Sequence, residues 1–136
     1  MGMLAAFVFP AIYNTQFNTM NRILKFRIYD EKYGMLSHDQ IDFNEVLAND
    51  VFDVMQYTGV NDTFDIELYE GDIVKFFHKT CNYTEPLVGK VFYNVTQWYI
   101  GYHNEYGKEK MVKLNKTRFT EIIGNIYETP EILFSK

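Results

Sequence analysis

The stretch ELYEGDIVKFF, residues 67–77, decides how this chain is read. Three carboxylates, Glu67, Glu70 and Asp72, crowd Gly71, and an apolar run follows at once. Clustered hard oxygens suit a divalent cation. Successive side chains on a strand point to opposite faces, however, so Glu70 and Asp72 share a face only if the chain stays extended through Gly71, and glycine favours a turn there. The spacing is not that of a calcium loop either. The expectation is therefore a solvated turn: Leu68 and Tyr69 end one β segment, residues 70–72 turn the chain, and residues 73–77 begin another.

Downstream, DIVKFFHK, PLVGKVFYNV and TQWYIGYHNE are β-rich runs separated by polar breaks at residues 82–86 and 94–96. Short strands at this spacing predict a small barrel or a curled antiparallel sheet. The basic segment KEKMVKLNKTRF predicts a helical turn or an edge strand, and EIIGNIYE returns to strand character. In TPEILF, Thr129 is placed to cap a short terminal helix with Pro130 at its first position and Glu131 in its first turn.

Upstream, Leu24, Phe26 and Ile28 alternate with Lys25, Arg27 and Tyr29, the period of a half-buried strand, and a hairpin turn through residues 30–32 follows. Residues 40–57 match neither period and are expected to form short strands with an irregular link. Thr58, Gly59, Asn61 and Asp62 carry the chemistry of a loop. Residues 1–19 contain no charged side chain and differ from the rest.

A chain of 136 residues is the size of one domain, and 11 Tyr and 12 Phe give it an aromatic content that favours strands. The single cysteine, Cys81, forms no internal disulfide, which points to a reducing cytoplasm. The opening MGMLAAFVF lacks a basic start and is too short to span a bilayer, so neither export nor membrane insertion is expected. The net charge of −5 divides into +3 over residues 1–29, −11 over residues 30–72 and +3 over residues 73–136. Two structural subregions, 20–70 and 71–136, are expected, each with a solvated charged surface.

Catalytic signals are weak. His38, His78 and His103 lack zinc-ligand spacing, Cys81 with His78 three residues away resembles any inert thiol near a histidine, and no phosphate loop or nucleophile elbow is present. No enzyme activity, metal or cofactor is expected. Trp98, Tyr99, Tyr102, Lys108, Lys110, Lys113, Lys116 and Arg118 are candidates for a nucleic-acid or protein-partner face; in the nucleic-acid reading, which is the alternative, the rings would stack bases and the cations would meet phosphates. An isoelectric point near 5.1 works against it.

QYTGVNDTFDIELYEGDIVKF (56–76) and EIIGNIYETPEIL (121–133), together with the opening MNRILKFRIYD at Met20, resemble the signature blocks of the YopX family of phage and prophage proteins. The matching residues are Tyr57, Thr58, Gly59, Tyr69, Glu70, Gly71, Asp72, Gly124, Asn125, Tyr127 and Pro130. The sequence departs from the family's usual Asn-Gly-type turn by having Phe64 and Asp65. The resemblance covers residues 20–136 and leaves 1–19 as an extension outside it, with Met20 as a candidate natural start. It implies a mainly β fold, with an SH3-like barrel in the C-terminal half and an N-terminal β-hairpin region, in a phage or prophage setting within bacterial cytoplasm. It supplies no catalytic residues. The expected role is a non-enzymatic accessory protein binding a phage or host protein, with the acidic stretch steering a basic partner. Exposed strand edges are also compatible with self-association.

Overall fold

The computed structural model describes residues 23–48, 52–79 and 85–134; the uncharged opening and Cys81 lie outside them. Two antiparallel sheets account for most of this chain. The first contains β1 (Phe26–Asp30), β2 (Gly34–Leu36), β3 (Asp53–Asn61) and β4 (Glu67–Tyr69), in the order β2-β1-β3-β4. The predicted hairpin follows β1: Asp30 pairs with Gly34, and the Asp30 carboxylate accepts the Lys32 N–H at 2.7 Å. Ile28 is buried at the middle of the alternating strand.

Two local expectations are corrected. Residues 40–57 are not a series of short strands: a 3-10 turn at His38–Gln40 and a helix α1 (Phe43–Ala48) precede β3. Asp42 starts α1, its side chain accepting the Asn44 N–H at 3.0 Å and its carbonyl accepting the Val46 N–H at 3.0 Å. This local acceptor decides a segment whose apolar pattern spans too few turns to register as a period. Residues 58–61 are not a loop, because β3 continues through them. Its register against β4 shifts between the Tyr57–Tyr69 and Asn61–Glu67 pairs, and Gly59 has φ 86°. The turn chemistry there makes a bulge, and the true turn occupies residues 62–66.

The second sheet contains β5 (Asp72–His78), β6 (Leu87–Asn94), β7 (Gln97–His103), β8 (Glu109–Lys113) and β9 (Thr117–Asn125), in the order β8-β7-β6-β5-β9. The basic segment thus supplies the edge strand β8. Two register shifts against β5 put extra residues into β9 and strengthen its twist, curling the sheet into a half-barrel. Its inner side holds Val74, Phe76, Val91, Ile100 and Val112, and Leu68 arrives from β4 of the other sheet to pack among them. Burying each such side chain contributes about 1.5–3 kcal/mol.

The C-terminal element is a four-residue 3-10 helix, Pro130–Leu133, with Pro130 at its start, rather than a capped helix of regular turns. The Thr129 hydroxyl does not cap it; it accepts the Asn125 N–H at 3.1 Å instead, holding the end of β9. Among the described residues no helix is long and apolar enough to cross a membrane.

Candidate protein-interaction face

The three carboxylates of residues 67–72 go to three different partners. Glu67 pairs with Lys25 at 2.5 Å and accepts the Tyr69 hydroxyl at 3.3 Å. The Glu70 carboxylate accepts the Gln56 N–H at 3.4 Å. Asp72 accepts Arg27 at 2.6 Å on one oxygen and the Tyr69 N–H at 2.8 Å on the other. Among the described residues no group of three or more His, Cys, Asp and Glu is gathered for a metal.

The turn itself forms as expected, with Gly71 at φ 86°, a conformation other residues rarely adopt. Its solvated character does not hold for Asp72, which is 1% exposed. Burial pushes the Asp72 carboxyl above the usual carboxylate range, against the opposing pull of Arg27. Burial, reinforced by the charge of Glu67, also pushes the Tyr69 phenol up to about 12. The Arg27 guanidinium lies 4.6 Å from the Tyr69 ring centre, so one cation from the first sheet holds both groups.

The two sequence blocks of the family resemblance meet at this junction. Asp72 pairs with Asn125, the Gly71 carbonyl accepts the Ile126 N–H at 2.9 Å, and the Gly71 N–H donates to Val91 at 2.9 Å. Tyr127 stacks on Tyr29 with ring centres 5.2 Å apart. Asn125 shapes the turn after β9, accepting the N–H groups of Tyr127 at 3.0 Å and Glu128 at 2.8 Å. At Gly124 a Cβ would lie 2.1 Å from the Thr129 hydroxyl, so only glycine fits. Tyr57 is buried and donates to Asn61, while Thr58 accepts the Val60 N–H at 3.2 Å within the bulge.

The residues proposed for nucleic acid divide between surfaces. Trp98 and Tyr102 pack against the inner core, whereas Tyr99 alternates to the outer face and stacks on Phe92 at 5.9 Å. Lys110 lies opposite Tyr102 and Lys113 opposite Tyr99. Lys108 is in the turn before β8, Lys116 is in the 3-10 helix Leu114–Lys116, and Arg118 is on β9 at the far end of the strand order. No single face gathers them.

A different surface gathers instead. Phe119 sits in the β9 bulge at φ 53°, where a non-glycine residue costs about 1–3 kcal/mol. Phe119 is 57% exposed and Phe64, from the 62–66 turn, is 58% exposed. The ring centres of Phe64 and Phe119 are 6.5 Å apart, and Phe77 lies 6.4 Å from Phe119, all edge to face. Exposed Val60 lies beside Phe119. Beside these rings an open groove of about 210 Å³ is lined by Val60, Leu68, Leu114 and Phe119, with Arg118 and Asp62 among its polar lining residues.

This surface is rigidly backed. The buried Asp62 carboxylate accepts the N–H groups of Phe64 at 2.9 Å, Ile66 at 3.0 Å and Ile122 at 3.1 Å. Thr63 donates its N–H to the Thr120 carbonyl at 2.7 Å, pinning the turn to β9. Sequence reading missed the patch because its rings come from three separated segments, and Phe119 in KTRFTEII looks like any strand residue. Asp62 was visible only as a turn former.

The geometry defines a curled β module with a buried ionic junction and an exposed aromatic surface formed by Phe64, Phe77 and Phe119. The family model described as YopX protein matches residues 12–134, and the chain belongs to that family. No curated protein matches it. Among solved structures it is similar to the crystal structure of protein EF1440 from Enterococcus faecalis, with a TM-score of 0.55 and 20% identity, covering 83% of this chain and 99% of that one. At that identity the likeness concerns the fold.

Proposed function

We propose that this protein is a non-enzymatic phage or prophage accessory module that binds another protein, of the phage or its bacterial host, in the host cytoplasm. In this reading the half-barrel is the working part of an SH3-like barrel. The observation that carries it is the Phe64–Phe77–Phe119 patch, where the exposed Phe64 and Phe119, the latter packed on half-buried Phe77, are held by a clamped turn and a strained backbone. Exposed apolar surface rimmed by polar residues is characteristic of protein interaction sites. Strain retained at an exposed position makes sense when the presented ring is used. Cross-linking in cells carrying the phage should recover a specific protein with the wild type and lose it with Phe64→Asp or Phe119→Asn. Recovery of no specific protein, or the same protein from all three, would defeat this reading.

A second reading, nucleic-acid binding, is favoured by one observation: Tyr99 stacks on Phe92 on the outer sheet face with Lys113 opposite. It requires a salt-sensitive mobility shift of single-stranded or duplex probes that Tyr99→Ala weakens, and unchanged probe migration at low salt removes it.

A further inference from the structure

We propose that the partner of the aromatic patch is an acidic-apolar peptide segment: an aliphatic or aromatic anchor seated in the groove beside Phe119, next to a carboxylate bound by Arg118. This rests on the reading of the protein as a protein-binding module and adds the chemistry of what is bound. The sign is opposite to that expected from the acidic stretch of the sequence.

Arg118 carries the argument. Its guanidinium carbon is 5.1 Å from the Phe77 ring centre, which occupies one flat face. The N–H groups project in the plane of the guanidinium, so stacking leaves its edge open to a carboxylate fork. Among the described residues the ion pairs are Lys25–Glu67 and Arg27–Asp72, so Arg118 has no carboxylate of its own. Further cations share this end of the sheet. The Lys79 N–H donates to the Lys116 carbonyl at 2.9 Å and the Lys79 ammonium to the Asn115 carbonyl at 3.2 Å, and neither lysine is a member of the two ion pairs among the described residues.

The nearby acids keep their charge but are held by donors of the fold. Asp62 is 7% exposed and surrounded by three backbone donors, and Asp65 accepts the Asn61 amide at 2.8 Å. Against these two carboxylates stand Arg118, Lys79 and Lys116, three cations at the end of the sheet where the groove lies. Val60, Leu68, Leu114 and Phe119 give the groove an apolar part of its lining, which favours an apolar anchor. An apolar side chain flanked by Asp or Glu satisfies both parts, and a basic peptide satisfies only the groove.

The test selects a random-peptide library against the full chain, then measures the enriched peptides by fluorescence anisotropy. Sequences with an apolar anchor adjacent to Asp or Glu should be enriched. Their affinity should fall about tenfold or more with Arg118→Glu and recover when the peptide's acid is replaced by Lys. Phe119→Asn, which keeps a residue tolerant of positive φ while removing the ring, should also abolish binding with an unchanged circular dichroism spectrum. Enriched peptides that need Phe119 but lack acids, or that ignore Arg118→Glu, overturn the acidic partner and leave the protein-binding reading standing. Enrichment of no peptide, combined with self-association that Phe119→Asn abolishes, would assign the face to a second copy of this chain and overturn the proposal. Specific binding of oligonucleotides by this face would overturn both readings.

Discussion

Asp62 and Asp72 are both buried, yet the fold accommodates their charges differently. Asp72 has a cation, Arg27, brought from the other sheet, plus one backbone N–H. Asp62 is met by three backbone N–H groups, two from its own turn and one from β9. The first arrangement is a long-range tie, because the ionic partner is 45 residues away. The second is a clamp that shapes a turn and fastens it to a strand edge. A buried charge can thus define either the relation between two sheets or the form of one surface, depending on whether its partner is a distant side chain or nearby backbone.

The largest expected effect breaks the tie. Arg27→Met leaves Asp72 buried without its cation, and loss of one member of such a pair costs about 3–5 kcal/mol. The pH dependence distinguishes this from lost packing. The Asp72 carboxyl already lies above its ordinary range in the folded state, and removing Arg27 raises it further. A raised folded value means that the group's contribution is present at acid pH and lost as pH rises through that value. The deficit of Arg27→Met in urea unfolding should accordingly be largest near about pH 7 and shrink near about pH 4. A deficit independent of pH would show that packing of the long side chain dominates.

Breaking the clamp should cost less. Asp62→Ala strands three N–H groups and should lower stability by about 2–3 kcal/mol, since solvent can reach part of the opened turn. Hydrogen exchange should quicken at Phe64, Ile66 and Ile122 while the amide of Tyr69, held by Asp72, keeps its protection. Equal loss of protection at both places would merge the two arrangements into one cooperative unit.

The smallest effect sharpens the clamp. Asp65 has φ 66°, in the turn where the family pattern carries an Asn-Gly-type turn. Asp65→Gly should stabilise the chain by about 0.5–1 kcal/mol by relieving the backbone, less whatever the lost Asn61 contact contributes. A lower unfolding midpoint in calorimetry would show that the Asn61 bond outweighs the strain.

These two carboxylates also mark how far the sequence could be read. The alternation around Ile28, the strands after Gly71 and the turn at Gly71 were legible because each is set by local period or local backbone geometry. α1 was not, because Phe43, Val46 and Leu47 supply one turn's worth of pattern and Asp42 decides the matter. Thr58 and Gly59 read as a loop because bulges and turns draw on the same residues. Asp72 read as solvated because Arg27, which makes its burial tolerable, is far upstream. The exposed aromatic surface was the least legible: nothing in KTRFTEII announces that Phe119 takes a left-handed conformation, which follows from β9 having to fit one more residue against β5 than the register allows.

The clamp at Asp62 has a consequence for assembly. By engaging the Ile122 N–H and, through Thr63, the Thr120 carbonyl, the 62–66 turn occupies hydrogen-bonding groups on the outer side of β9. Among the described residues, β8 at the opposite end pairs with β7 alone. A ribbon with one closed margin and one open margin can join a copy of itself once, margin to margin about a twofold axis, and the joined pair then offers no further open margin from the second sheet. Growth through this sheet stops at two.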